Sequence, residues 1–224
     1  TGCPPVPQDP PSTTTSTTTQ PSLHAVAVDS SDENACALMS DGTIKCWGDN
    51  SYGQLGDGTR TSSSVPVVVN DVTNATAIAV GSGRNCAIVS NGAVKCWGFG
   101  SNGELGNGTN AAMSPPVDVV GISGATAISA HGQHACVIVG GAVKCWGYNQ
   151  FGALGNGTLV SSNTPVDVAG IANAVAVSAD YQHTCALLST GSIKCWGHNF
   201  LGELGNGTVA DSSTPVDVIG IANA

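Results

Sequence analysis

The most constraining feature of the chain is a Lys-Cys-Trp-Gly element that occurs four times. Its tryptophans are Trp47, Trp97, Trp146 and Trp196. Successive tryptophans are 50, 49 and 50 residues apart, a period typical of propellers and solenoids. The chain is therefore predicted to be a repeat protein, with these four tryptophans in the core of the repeats.

The second repeat illustrates what one unit contains. Four segments have the apolar content and the flanking turn residues of short strands: 75–80, 86–89, 93–98 and 116–120. A glycine-rich loop at 98–109 separates the last two. Because no segment has a helical period, we predict an all-β, propeller-type array of four blades, each with four antiparallel strands. The repeats span about 23–74, 75–124, 125–173 and 174–224.

Two stretches of sequence resemble a known repeat. They are WGDNSYGQLGDGT at 47–59 and GQHAC at 132–136, and they are similar to the repeat of the regulator of chromosome condensation family. The resemblance extends from residue 23 to the end of the chain and implies a seven-bladed β-propeller. It implies little about function, because similar propellers serve as guanine-nucleotide exchange factors, photoreceptors and secreted enzyme inhibitors.

Eight of the nine cysteines are spaced as partners across hairpins. Three pairs are ten residues apart, and the fourth is nine apart with a turn one residue shorter, Gly140-Gly141. Both spacings place the two cysteines opposite each other, at a separation close to that of a disulfide. The predicted bridges are Cys36–Cys46, Cys86–Cys96, Cys136–Cys145 and Cys185–Cys195. Reduced cysteines in the core and zinc ligation are the alternatives, although zinc sites favour Cys-x-x-Cys spacing.

Disulfides persist outside the cytosol, so we predict an extracellular or cell-surface protein. Residues 1–22 contain mostly Pro, Thr, Ser and Gln and are predicted to form a stalk or linker. Its candidate O-glycosylation sites are Thr13, Thr14, Thr15, Thr17, Thr18 and Thr19. The ninth cysteine, Cys3, is predicted to bridge to another cysteine or to another chain, with acylation as in bacterial lipoproteins as the alternative.

The charge of the chain argues against nucleic acid as a partner. The net charge is −9, and four of the six basic residues belong to the repeated Lys-Cys-Trp-Gly element. Binding to a phosphate backbone needs clustered Lys and Arg. The four lysines are expected to be solvated, and a ring of positive charge is the alternative. Membrane insertion is not expected, since no apolar run approaches 20 residues.

No catalytic or metal site is predicted, and no cofactor. His134 and His183 each stand two residues before a cysteine, and we expect packing or hydrogen bonding within the blade. Three aspartates alternate with valines and are expected on the solvent side of a strand: Asp118, Asp167 and Asp217. Four candidate N-glycosylation sequons begin at Asn74, Asn107, Asn156 and Asn206. The last three also match a tight Asn-Gly turn.

The predicted function is a non-enzymatic structural or adhesive module that self-assembles through its repeats and N-terminal segment, with filaments as one outcome. Its partners would be copies of itself or other extracellular proteins. The alternative is a secreted propeller that binds or inhibits one protein. The loop aromatics weigh against that alternative, because they occupy different loop positions: Tyr52, Phe99, Tyr148, Phe151 and Phe200.

Four repeats are fewer than the seven blades that the resemblance implies. The outer surfaces of the first and last repeats are therefore expected to need a cover. Three arrangements would supply it: further blades in a longer chain, a closed four-bladed ring, or a second copy that docks end to end.

Overall fold

A computed structural model describes residues 22–221. Cys3, the six candidate threonines and the rest of the predicted stalk up to residue 21 lie outside these residues. The described chain forms sixteen strands in four sheets of four, and every paired strand is antiparallel. The predicted fold class is confirmed. No helix occurs between residues 22 and 221, and so none there could cross a membrane.

Each sheet contains four strands that are consecutive in the chain, so each is one propeller blade. Blade 1 contains β1 (Ala25–Ser30), β2 (Asn34–Met39), β3 (Ile44–Gly48) and β4 (Ser63–Val68). Blade 2 contains β5 (Ala75–Gly81), β6 (Arg84–Val89), β7 (Val94–Phe99) and β8 (Met113–Asp118). Blade 3 contains β9 (Ala125–Ser129), β10 (His134–Val139), β11 (Ala142–Gly147) and β12 (Ser162–Asp167). Blade 4 contains β13 (Ala174–Ala179), β14 (His183–Leu188), β15 (Ile193–Gly197) and β16 (Ser212–Asp217).

The fourth strand of the second repeat begins earlier than predicted. The sequence indicated 116–120, whereas β8 is Met113–Asp118 and includes two consecutive prolines, Pro115 and Pro116. Proline lacks the N–H that an inner strand needs. β8 pairs only with β7, so it is an edge strand, where a missing donor is tolerated.

Hairpin register brings the cysteines together in every blade. β2 pairs with β3 so that Cys36 faces Cys46, and β10 pairs with β11 so that Cys136 faces Cys145. In blade 3 both turn residues, Gly140 and Gly141, have positive φ (58° and 83°), as a two-residue hairpin turn of type I′ requires. The structure contains the same four disulfides that the spacing predicts, each with a Cα–Cα distance of 4.1 Å.

The apolar core lies between blades rather than within them. Three clusters of buried side chains each combine residues of two consecutive blades, and each includes the tryptophan of the later one: Trp97, Trp146 and Trp196. We call these interfaces joints 1–2, 2–3 and 3–4. Trp47 does not belong to any of these clusters and is only half-buried, because no described blade precedes it. Its predicted place in a repeat core is therefore wrong for the described residues.

Candidate protein-interaction face

The third and fourth strands of each blade are connected by long loops on one face of the array. We call these the WG loops; they span residues 49–62, 100–112, 148–161 and 198–211. In the first of them the fully buried Asn50 holds the loop closed: its Nδ2 donates to the carbonyls of Thr59 and Thr61 at 3.2 Å, and its Oδ1 accepts from the Leu55 amide.

The same arrangement recurs at Asn149 and Asn199. In blade 2 this position is Gly100, which has no side chain to make these bonds. Sequence reasoning missed this asparagine. The available signal was its recurrence three residues after the tryptophan in three of the four repeats.

Each WG loop also forms part of the joint with the next blade. The indole Nε1 of Trp97 donates to the Gln54 carbonyl at 2.9 Å, and those of Trp146 and Trp196 donate to the Glu104 and Ala153 carbonyls at 3.0 and 2.8 Å. A glycine two residues later packs against the same indole: Gly56, Gly106 and Gly155. A Cβ at these glycines would lie 2.7–2.9 Å from the indole nitrogen.

The second strands carry a buried polar residue that reaches the next blade. His134 is fully buried, and its Nε2 lies 2.6 Å from the Thr184 Oγ of blade 4. Burial lowers the pKa of His134 to about 3, with the positive charge of Arg84 contributing, so the imidazole is neutral at physiological pH. The expected structural role is consistent with this contact, although the partner lies in the neighbouring blade rather than within the same one.

Arg84 occupies the same position in blade 2 and was not singled out from the sequence. Its guanidinium donates to the carbonyls of Gly132 and His134 in blade 3 at 2.6 and 2.5 Å. Burial lowers the pKa of Arg84 to about 10, and attraction to Glu104 opposes that shift. Arg84 therefore stays charged at neutral pH and fastens blade 2 to blade 3.

The repeated lysines are paired in three blades. Each Nζ lies within 2.8 Å of an aspartate on the fourth strand, in the pairs Lys95–Asp118, Lys144–Asp167 and Lys194–Asp217. The aspartates are about three-quarters exposed, as expected for the solvent side. In blade 1 Lys45 faces Val68 instead. The alternative of a positive ring is wrong, because carboxylates neutralise three of the four lysines.

Loop aromatics that are dispersed in the sequence are adjacent in space. Tyr52 contacts Phe99 edge-to-face with ring centroids 5.2 Å apart, and Phe151 contacts His198 at 4.9 Å. In both pairs the first residue stands five positions after the tryptophan of its own blade, and the second stands two positions after the tryptophan of the following blade. Because each WG loop contacts the following blade, different loop positions come together at these two joints, and among the five predicted loop aromatics Tyr52 and Phe99 form one contacting pair.

Three clefts open on this face. One, of about 290 Å³, lies where the turns after the first strands of all four blades converge, and its lining includes Glu33, Gly83, Gln133 and Tyr181. A second, of about 250 Å³, lies at joint 1–2, and a third, of about 280 Å³, lies at joint 2–3. Within residues 22–221 no three His, Cys, Asp or Glu side chains are grouped to hold a metal ion.

The predicted sequons occupy turns. The Oδ1 atoms of Asn107, Asn156 and Asn206 each accept from the amide and the hydroxyl of the threonine two residues later, at 2.9–3.1 Å. These asparagines therefore have a local structural role in the WG loops. Asn74 has a positive φ of 54° and precedes β5.

Comparison with known proteins agrees with this architecture. Two models of the regulator of chromosome condensation (RCC1) repeat match the chain, one at residues 41–88, 91–138 and 141–187, the other at 25–54, 75–104 and 174–203. The structure of human WBSCR16 is similar with a TM-score of 0.79 and 24% identity, over 87% of this chain and 52% of that one.

Prp20p from Saccharomyces cerevisiae, described with its binding properties to Gsp1p and histones, is similar with a TM-score of 0.78 and 18% identity, over 90% of this chain and 52% of that one. Yeast RCC1 (Prp20) bound to Kap60 gives the same TM-score and identity, over 87% and 48%. The chain thus spans about half the length of these proteins. At these identities the likeness establishes the fold alone.

Proposed function

This chain belongs to the RCC1 repeat family, and on that premise we propose that it is a non-enzymatic protein-interaction module that works outside the cytosol and associates head to tail with copies of itself. The observation that carries the proposal is the unequal exposure of equivalent side chains in the first and last blades. Four disulfides in a chain of this length support the extracellular setting.

Blade 1 exposes one half of a joint, which we call the leading face. Trp47 is half-buried, whereas its three equivalents are fully buried. Val28 on β1 is 69% exposed, whereas its equivalents pack into the clusters between blades: Ile78, Ile128 and Val177. The leading face therefore presents the apolar side chains that the later blade contributes to every internal joint.

Blade 4 exposes the other half, which we call the trailing face. Leu187 is 38% exposed, whereas its equivalents Leu38, Ile88 and Ile138 are buried to 3% exposure or less. Gly205 has the position of the glycines that pack against an indole, yet the three atoms nearest to a Cβ there all belong to Val218. The trailing face therefore presents the surface that receives a tryptophan.

The two faces are complementary, because the chain joins their counterparts three times internally. A second copy whose leading face docks on the trailing face of the first would form a fourth joint with the same contacts. Such an interface is heterologous, so repeated docking produces either a ring or a filament. The predicted Pro/Thr-rich stalk is proposed to project from this assembly.

Charge substitutions on single faces test the proposal. The oxidised 224-residue chain is expected to sediment as species larger than its 22.2 kDa mass, and Val28→Asp and Leu187→Asp are each expected to give monomers. A mixture of the two variants is expected to give dimers only, because each retains the face that the other lacks. Val160→Ser, an exposed position in the WG loop of blade 3, is the control and is expected to assemble as the wild type does.

Two results would contradict the proposal. One is a wild-type chain that stays monomeric at all concentrations up to about 100 μM, where an interface of useful affinity would be populated. The other is a mixture of the two variants that remains monomeric, because an intact leading face and an intact trailing face would then be present together without binding each other.

A further inference from the structure

Joint 1–2 lacks a contact that the other two joints make at their outer edge. At joint 2–3 the Gly108 amide donates to the Asn163 carbonyl at 2.8 Å, and at joint 3–4 the Gly157 amide donates to the Ser213 carbonyl at 2.9 Å. Among the described backbone groups no such bond connects Gly58 to Ser114, the equivalent pair. A cleft of about 250 Å³ lies at this place. A cleft of about 280 Å³ lies at the equivalent place of joint 2–3, but serines and asparagines line it, so joint 1–2 is distinguished by the missing bond and by the lining of its cleft.

The cause lies at the start of the fourth strand. In blades 1, 3 and 4 a serine hydroxyl donates to the carbonyl two residues later at 2.7 Å and accepts from the amide of that residue: Ser63, Ser162 and Ser212. In blade 2 the serine is replaced by Met113, and the later residue is Pro115, which has no N–H.

The serine turn widens the bulge between the third and fourth strands. In blade 3, Cys145 pairs with Val166 and Gly147 pairs with Ser162. Between these two pairs one residue lies on the third strand and three lie on the fourth. In blade 2 the corresponding bulge is smaller, because only two residues of the fourth strand lie opposite one residue of the third. Pairing then continues to Phe99 and Met113. β8 therefore follows a different path from its equivalents at the place where they contact the preceding WG loop.

The walls of the cleft have the composition of a protein-binding site. Tyr52, Met113 and Pro115 provide apolar surface, and the exposed Arg60 belongs to the same lining. Tyrosine, methionine and arginine are enriched in protein interfaces. A volume of about 250 Å³ is below the roughly 300–1,000 Å³ of small-molecule sites, and it suits one anchoring side chain.

We propose that this cleft binds one aromatic side chain of an extended partner peptide, and that an acidic residue next to it in the peptide pairs with Arg60. Arg60 forms no ion pair within residues 22–221, whereas three of the repeated lysines are paired to aspartates. The net charge of −9 repels a strongly acidic partner, so the peptide carries a single acidic residue at this place. The site is separate from the leading and trailing faces.

The chain contains two methionines, which makes the test specific for the site. Met113 lines the cleft, and Met39 lies at the end of β2 in blade 1. The Val28→Asp chain, expected to be monomeric, is labelled with ¹³C-methyl methionine and titrated with a blocked hexapeptide of sequence Gly-Ser-Phe-Glu-Ser-Gly. Matched peptides carry Ala for Phe or Gln for Glu.

The Met113 methyl signal is expected to shift saturably with the Phe-Glu peptide, whereas the Met39 signal stays in place. The Gln peptide and the Arg60→Ala variant are each expected to bind two- to fivefold more weakly, the range of an exposed ion pair. The Ala peptide is expected to leave the Met113 signal unchanged up to about 5 mM, because the aromatic anchor carries most of the affinity.

A chain with Met113→Ser and Pro115→Thr has the fourth-strand start of the other blades and serves as the matched control. Fluorescence anisotropy of the labelled Phe-Glu peptide is expected to show binding to the parent chain and none to this variant, whose far-ultraviolet circular dichroism is unchanged. Equal shifts of both methionines, equal binding of the Ala peptide, or undiminished binding to the control would each overturn the proposal. Because the titration uses a chain with a broken leading face, its outcome does not depend on self-association.

Discussion

Single atoms decide whether a residue of this repeat is replaceable. The indole nitrogen of Trp146 donates to a backbone carbonyl, and Gly106 lies directly against the same ring. The glycine is required twice over, because its φ is +64° and because a Cβ would lie 2.7 Å from the nitrogen. The sequence indicated that the tryptophans belong to the core, but not what covers them, because the covering atoms belong to the preceding blade.

Gly106→Ala is therefore expected to lower the free energy of unfolding by about 2–5 kcal/mol, from left-handed strain of about 1–2 kcal/mol and overpacking of about 1–3 kcal/mol. Gly121→Ala is the matched control, since its φ is +70° and a Cβ there would meet nothing within 4 Å. It is expected to lose only the strain energy. Urea unfolding of the oxidised chain measures both values, and equal losses would contradict close packing on Trp146.

Hairpins are the elements that the sequence predicts best in this chain. Turn length alone placed each cysteine opposite its partner, because strand pairing advances one residue at a time on both sides of a turn. The fourth strands were predicted less well. Their start depends on a serine hydroxyl in three blades and on Pro115 in the other, and a bulge of this kind leaves no period in the sequence.

Removal of one bridge tests how much the hairpins depend on covalent closure. Cys86→Ala with Cys96→Ala opens a loop with a sequence separation of 10, and it is expected to lower the free energy of unfolding by about 2–3 kcal/mol through chain entropy. Thermal unfolding without reductant measures the loss. Peptide mapping of the variant under non-reducing conditions is expected to find the other three pairs unchanged, and exchanged pairs would contradict local closure.

On the scale of the whole molecule the blades form an arc whose inner edge is also held together. His131, after β9 in blade 3, lies with its Nε2 3.2 Å from Oδ1 of Asp29 on β1 in blade 1. The other Asp29 oxygen accepts from the Val80 amide of blade 2 at 2.8 Å. One carboxylate thus connects three blades. No periodic pattern of the sequence could indicate this contact, because the two residues are 102 positions apart and neither recurs at the equivalent position of another repeat.

This ion pair makes part of the stability depend on pH. The hydrogen bond to Asp29 raises the pKa of His131 above 6.5 despite partial burial, with Asp180 reinforcing the shift and Arg84 opposing it. Burial works to raise the pKa of Asp29, but the hydrogen bonds from His131 and Val80 prevail and hold it below 3.8. The contribution of His131 is complete below about pH 6.5 and falls as the pH rises further, and that of Asp29 is complete above about pH 4 and falls below it.

His131→Gln is therefore expected to be less stable than the wild type at pH 5.5, by less than about 1 kcal/mol because both groups are partly exposed to water. The difference is expected to shrink at pH 8.5. Urea unfolding of both chains at the two pH values measures it. A difference in the free energy of unfolding that stays constant or grows with pH would contradict an ion pair between blades 1 and 3.

The indole hydrogen bond at each joint is directed to a main-chain carbonyl, and the residues that supply it are Gln54, Glu104 and Ala153. An amide, an acid and a methyl side chain thus serve the same contact. The indole hydrogen bond between neighbouring blades therefore does not depend on which side chain stands at that position. Duplication or exchange of a whole unit would preserve the hydrogen bond without compensating substitutions, which leaves these loops free to diverge in sequence while the number of blades changes.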